Sequence, residues 1–281
     1  MSVINTNVNS LIAQNSLTVN GRSLAKAMEQ LSTGKRINSA ADDAAGLAIS
    51  QVMTSDIRGL NQAVRNANDG ISLLQVAEGA LNAVSDMLQR MRELAVQSAN
   101  DTNSSIQQGF LDEEYQLLGE EIDRVLGATT WNGISVFSGS GGRSADGTFN
   151  FQVGAGTASS LYNISITISG ATSVGALMSA SLGSIGSAAA ALSAMDNLDT
   201  AIENVSTLRS TLGATINRLT YAADNATNIS INMQASRSRI LDADYASATT
   251  ELARTQIIQQ AATAMLAQAN QAPATVLSLL K

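Results

Sequence analysis

Asp42 and Asp43 stand side by side, and Asp242 and Asp244 flank a single alanine near the other end of the chain. Paired carboxylates can hold a divalent cation or exchange protons with a substrate. Here they lack the usual helpers. The 281 residues include no histidine and no cysteine, so imidazole and thiolate ligands and a disulfide framework are all excluded. Catalysis would fall to carboxylates, lysine, serine or a metal, and no clustered constellation of these stands out. Asp42 or Asp43 reads more simply as an N-cap that satisfies free helix amides, with the second carboxylate favoured by the helix dipole. Asp242 and Asp244, beside Arg237 and Arg239, read as ion-pair partners, worth little if exposed. The expectation is a chain without enzymatic activity, cofactor or metal.

The elements around these aspartates carry the stronger signal. From about Asp43 to Ala99, alternating three- and four-residue spacing runs through Met53, Ile57, Leu60, Val64, Ala67, Ile71, Leu74, Glu78, Leu81, Ser85, Leu88, Arg92 and Ala95. This is a coiled-coil-like stripe with no proline in it, long enough for a rod of roughly 80 Å. After the polar link Asp101 to Ser105, a shorter stripe at Leu111, Tyr115, Leu118, Ile122 and Val125 predicts a second, antiparallel helix. A third stripe begins near Ala188. It runs through Met195, Leu198, Ile202, Val205, Arg209, Leu212, Ile216, Leu219, Ala223, Ala226, Ser230, Met233, Arg237 and Ile240. Glu78, Ser85, Arg92 and Arg209 interrupt these seams. Either the stripe drifts, since 3.6 does not divide seven evenly, or polar residues there fix the register.

Residues 129–186 differ in character, being rich in Gly, Ser and Thr. Phe149 to Val153 and Tyr162 to Ile168 alternate with period two and predict two strands joined by a loop over Gly154 to Ser160. The outermost segments carry short apolar patches: Ile4, Val8, Leu11 and Ile12, then Leu24, Met28 and Leu31 at the start. Leu252, Ile257, Ile258, Met265, Leu266, Val276, Leu277 and Leu280 form the patches at the finish. Their faces are too weakly apolar to hold isolated helices, so they should be marginal until a partner covers them.

Composition agrees with thin helical seams. Hydrophobic residues make up 44% of the chain but aromatic residues only 3%, with Pro 1. The net charge is -7, without a Lys/Arg-rich run, which argues against a nucleic-acid binder. No apolar run is long enough to span a bilayer, so no membrane is expected. The N-terminus has neither a basic n-region nor an apolar h-region, which predicts no cleaved secretory signal.

Several long motifs in order resemble bacterial flagellin. At the start these are Ile4-Asn5-Thr6-Asn7, Leu31 to Ala40, and Ala41-Asp42-Asp43-Ala44-Ala45-Gly46-Leu47-Ala48-Ile49. Gln89 to Asn100, Glu121 to Val125 and Trp131-Asn132-Gly133 follow. Near the finish are Arg209 to Ala214, Asn217-Arg218-Leu219, Ser236 to Ala246, Gln268-Ala269-Asn270-Gln271 and Val276 to Leu280. The resemblance covers roughly the first 135 and last 95 residues. It departs at Trp131, Ile216, Pro273-Ala274-Thr275 and Lys281, and the large outer domains of longer family members are missing.

The resemblance implies a mainly α fold: a long coiled-coil-like bundle formed by the N- and C-terminal regions, with a small central β-hairpin element. Residues 1–43 and 241–281 would form the inner filament core, 44–128 and 187–240 the helical rod, and 129–186 the β element. It implies a secreted structural subunit that self-assembles into the flagellar filament used for motility and is exported by the flagellar type III route. Partners would be further copies of the chain, an export chaperone at the C-terminal segment, hook-associated proteins and the filament cap. Core packing is expected from Leu11, Leu24, Leu31, Leu252, Ile257, Met265 and Leu280. Rod packing is expected from Ile57, Leu60, Val64, Ile71, Leu74, Ile202, Val205, Leu212, Ile216 and Leu219. Gln89, Arg90, Leu94 and Glu114 match the family's surface recognised by Toll-like receptor 5.

Ser138, Ser140, Ser144, Thr148, Ser159 and Ser160 could carry O-linked glycans, although a solvated loop is the favoured reading. Asn163 and Asn225 sit in chance-level glycosylation motifs. Two other classes compete. A hook-associated junction protein shares terminal helices of similar pattern but not the close match over Gln89 to Asn100. A coiled-coil signalling rod shares the heptads but explains neither the β element nor the terminal motifs.

Overall fold

The computed structural model describes residues 6–137, 147–168 and 183–278, without the side chains of 159, 160 and 272–278. The long stripes are long helices: α1 is Val8–Thr33, α2 Ala44–Ser98 and α3 Ser105–Ala128. Two short strands follow, β1 (Thr130–Trp131) and β2 (Ile134–Ser135), then β3 (Thr148–Gln152), a single turn α4 (Ser159–Tyr162) and β4 (Asn163–Thr167). The chain returns through α5 (Ala188–Leu241) and α6 (Tyr245–Ser278). The mainly α architecture with a small antiparallel hairpin is the one expected. The chain divides into two compact units, one of residues 1–57 and 231–281, the other of residues 58–230. These cuts lie inside α2 and α5.

In the unit of residues 58–230, α2 and α5 run antiparallel. Arg92 meets Asp199 at 2.6 Å, and Ser230 donates to the Asn61 side chain at 3.1 Å. Thirty-one residues separate the two contacts on each helix, so the register does not slip between them. Their shared seam buries Leu74, Leu81, Leu88, Leu198, Leu212 and Leu219 completely. Helix α3 folds back on α2, as its short connection predicts. A capping box of Ser104 and Gln107 starts it, Gln108 donates to the Ser98 carbonyl, and Tyr115 and Ile122 enter the core. Burial holds the Tyr115 phenol well above its usual range, with Asp112 adding to the effect.

The stripe drifts where polar residues interrupt it. The buried positions beside Glu78, Ser85 and Arg92 are Ala77, Val84 and Met91, each one residue earlier. Arg92 is thereby at the rim, where it reaches Asp199. Arg209 lies at the seam edge with its buried Nε making no hydrogen bond.

The predicted strand pair is present. Phe149 pairs with Ile166 and Phe151 with Ile164, which puts four apolar side chains on one face. That face sits against α2 through two glycine notches. A Cβ on Gly70 would lie 2.8 Å from the Phe151 ring, and one on Gly59 would lie 2.8 Å from the Ala155 methyl. Between them, Asn66 donates to the Gln152 carbonyl at 3.1 Å. Gly59, Asn66 and Gly70 are spaced seven and four residues apart and so share one helix face. The β1–β2 hairpin was not read from sequence; its turn has Asn132 at φ 50° and Gly133 at φ 78°, the left-handed pair that two-residue hairpins require.

Candidate assembly surface

The other unit is built on α1 and α6, which pack antiparallel. Asn7 donates to the Ala269 carbonyl at 2.7 Å, Ser10 to the Asn270 side chain at 2.9 Å, and Asn20 to the Thr255 carbonyl at 2.8 Å. The seam between them is thin, with Ala27, Ala248, Asn20 and Thr255 buried. Small residues let the helices approach but remove little apolar surface from water. The terminal helices are therefore formed and paired with each other, while the faces away from the seam are uncovered.

A clasp closes the unit where both long links turn. Gly34 caps α1 in the left-handed conformation, φ 68°, and its carbonyl accepts from Ala243 at 3.0 Å. The Arg36 amide donates to Leu241 at 2.7 Å, and its guanidinium to the Ile240 carbonyl at 2.8 Å. Lys35 and Asp242 form the bridge between these bonds. Ile37 is buried beneath Gly46, where a Cβ would come within 2.7 Å of it.

The two aspartate pairs are parts of this clasp. Asp43 accepts from the Gly46 amide at 2.9 Å, the N-cap geometry for α2. Asp42 accepts from the amides of Asn38 and Ser39 and meets Lys26 at 2.9 Å. The Lys26 hydrogen bond, followed by those two amides, holds the Asp42 carboxyl down at about 2, below its ordinary 3.8. The expected ion pairs of Asp242 and Asp244 with Arg237 and Arg239 are not formed among the described residues. Asp242 accepts from Ser238 and Asp244 from the Ala246 amide, while Arg237 donates to Thr54 and Arg239 to Ser236. Each carboxylate is occupied by a local helix-end donor, the role short acidic side chains fill best. No group of acidic residues among the described residues could hold a metal, and no helix there is long and apolar enough to cross a membrane.

The residues proposed for core packing divide by exposure. Leu24, Leu31 and Leu252 are half-buried. Leu11 is 57% exposed, and Ile257 and Met265 are each 66% exposed. Leu280 lies outside the described residues, as do Ser138, Ser140 and Ser144. Ile12, Ala13, Ile258 and Met265 line one apolar groove on the α1–α6 pair. The rod residues Ile57, Leu60, Leu74, Val205, Leu212 and Leu219 are buried, and Val64, Ile71, Ile202 and Ile216 are half-buried. Thr148 is engaged with Thr167 across the hairpin at 3.0 Å.

Gln89, Arg90 and Glu114 share an exposed surface. Arg90 bonds Glu114 at 2.9 Å and Glu93 at 3.1 Å, and Glu114, then Glu93, raise the pKa of its guanidinium. Leu94, expected on the same surface, is 1% exposed. It lies on the core-facing side of α2 with Met91 and Ala95, so motif identity carried over while side-chain direction did not.

Comparisons with known proteins bear on this arrangement. Residues 4–141 match the bacterial flagellin N-terminal helical region, and residues 195–280 match the bacterial flagellin C-terminal helical region. The chain is 45% identical over 279 residues to a flagellin of Halalkalibacterium halodurans, covering 99% of this chain and 100% of that protein. It is 41% identical to the flagellar filament 33 kDa core protein of Treponema phagedenis, covering 99% of this chain and 100% of that one. The crystal structure of Bacillus cereus flagellin aligns with TM-score 0.50 at 32% identity, covering 62% of this chain and 94% of that one. A putative flagellar hook-associated protein from Vibrio parahaemolyticus shares the fold, with TM-score 0.56 at 15% identity, covering 72% of this chain and 100% of that one. The chain therefore belongs to the bacterial flagellin family and is a structural subunit of the extracellular flagellar filament, not an enzyme.

Proposed function

We propose that the filament is held together at its centre by the uncovered faces of α1 and α6, which neighbouring copies bury. The observation that carries this reading is the exposure of Leu11, Ile257 and Met265 on a helix pair whose own seam is thin. Leu24, Leu31, Leu252 and Leu280 complete the packing set. Residues 58–230, with their continuous apolar core, serve as the pre-formed body that carries the pair. The energetic logic is that ordering two helices on so thin a seam is barely favourable alone, and burial against neighbours offsets it. Electron microscopy of purified protein after a salt or seed trigger tests this. Filaments are the expected result, and persistent monomers refute it.

The finer partners follow the same surfaces. An export chaperone covers the apolar positions of α6 before secretion by the flagellar type III route, which needs no cleaved signal. Hook-associated proteins and the filament cap meet the same terminal helices at the filament ends. Toll-like receptor 5 reads Gln89, Arg90 and Glu114, with Leu94 supporting that stretch of α2 from beneath. A reporter-cell assay in which the monomer gives no signal refutes the receptor reading.

A further inference from the structure

We propose that Met265 is a peroxide-sensitive site whose oxidation blocks subunit assembly. The inference rests on the reading that other copies cover α1 and α6. The chain has nine methionines and no cysteine, so thioethers take the place of thiols as its readily oxidised sulfur. Most of the described methionines are sheltered. Met91 is fully buried, Met87 and Met195 pack against the core, and Met53 and Met233 are half-buried. Met28 is 50% exposed and Met265 66% exposed. Of these two, Met265 lines the apolar groove with Ile12, Ala13 and Ile258.

The chemistry is a two-electron oxygen transfer. A sulfur lone pair attacks one oxygen of hydrogen peroxide, the O–O bond breaks and water leaves. The thioether becomes a sulfoxide, and the peroxide is reduced. An apolar side chain is thereby made dipolar, with a strong acceptor oxygen. Asn9, Ser16 and Gln268 also line the groove, so one of them can donate to that oxygen, but covering the site still strips water from a strong dipole where an apolar thioether stood. The free subunit is the vulnerable form, because in the filament the same sulfur is shielded. Thiol-dependent methionine sulfoxide reductases reverse the change.

The test treats the full-length chain with hydrogen peroxide, maps the sulfoxides by mass spectrometry, and measures assembly by sedimentation and electron microscopy. Among the described methionines Met265 should oxidise first in the free chain, and on the order of tenfold more slowly in filaments, as its shielding requires. The chain oxidised at Met265 should need on the order of tenfold more protein to assemble, the effect of desolvating one strong dipole per copy. Met265→Leu should assemble and withstand peroxide, Met28→Leu should remain sensitive, and reductase treatment of oxidised wild type should restore filaments. Wild type that is oxidised at Met265 and assembles at an unchanged concentration overturns the inference, as does Met265→Leu losing assembly to peroxide. If Met265→Leu does not assemble at all, reductase reversal in wild type decides. Untreated wild type that never polymerises sinks the assembly reading itself, a distinct failure.

Discussion

The Asn20 side-chain amide of α1 donates to the Thr255 carbonyl of α6 at 2.8 Å, and both residues are buried. Of the polar contacts described across this seam, Asn7 to Ala269 and Ser10 to Asn270 are more exposed, and this buried bond discriminates most strongly between sliding positions of the helices. A buried polar residue in a helical seam sets register at some loss of stability. Asn20→Leu should therefore keep the helices associated but mix their registers. Because the chain lacks cysteine, a disulfide engineered between positions 10 and 270 reports the native register directly. Its yield should be high in the Asn20 background and fall clearly with Asn20→Leu; an unchanged yield shows that Asn20 does not set the register.

The glycine notches predict opposite signs for the same substitution on one helix. Gly79 has nothing within 4 Å of an added Cβ, so Gly79→Ala should stabilise α2 by about 0.5–1 kcal/mol through helix propensity. Gly70→Ala must move the Phe151 ring and should destabilise the unit despite the same propensity gain. Thermal unfolding of the two variants checks this. Two shifts of the same sign would show that the ring gives way freely.

Leu74 is fully buried between α2 and its neighbours. Leu74→Asp puts an unpaired carboxylate there, at a loss of roughly 3–5 kcal/mol or more. The variant should lose its cooperative thermal transition and form no filaments. A normal melt with normal filaments would show the seam assignment to be wrong.

The clasp should respond to acid in a defined window. Asp42 is held at about 2 against an ordinary 3.8, first by Lys26 and then by the Ser39 and Asn38 amides. A depressed carboxyl stabilises the fold fully above its unfolded value and loses that contribution as pH falls through the folded one. The amides of Asn38 and Ser39 should thus lose protection against hydrogen exchange as pH drops from about 4 to about 2. Asp42→Asn should show weak protection there at every pH. Protection independent of pH in the native chain contradicts this role.

Much of this was legible in the sequence because long, proline-free stripes repeat one spacing over many turns. The ends of α2 and α5 fall within a residue or so of the pattern's limits, and the β3–β4 alternation is equally plain. The misses have specific causes. Two-residue strands such as β1 and β2 are too short to show any period. Gly59 and Gly70 carry no signal in the helical stripe, since only the approach of Ala155 and Phe151 gives them a purpose. The slow drift of the stripe moves burial from Glu78, Ser85 and Arg92 to the residues before them. Asp242 and Asp244 are taken by the Ser238 hydroxyl and the Ala246 amide at the helix ends, local donors that a pairing by charge alone does not anticipate. Leu94 shows that a matched motif supplies residue identity but not which way a side chain faces.

Helical reconstruction of the assembled filament by electron cryo-microscopy tests the central claim most directly. The account predicts that Leu11, Ile257 and Met265, exposed on the isolated α1–α6 pair, are buried between the terminal helices of neighbouring copies. A filament whose subunits touch only through residues 58–230, with those three side chains still facing solvent, would contradict it.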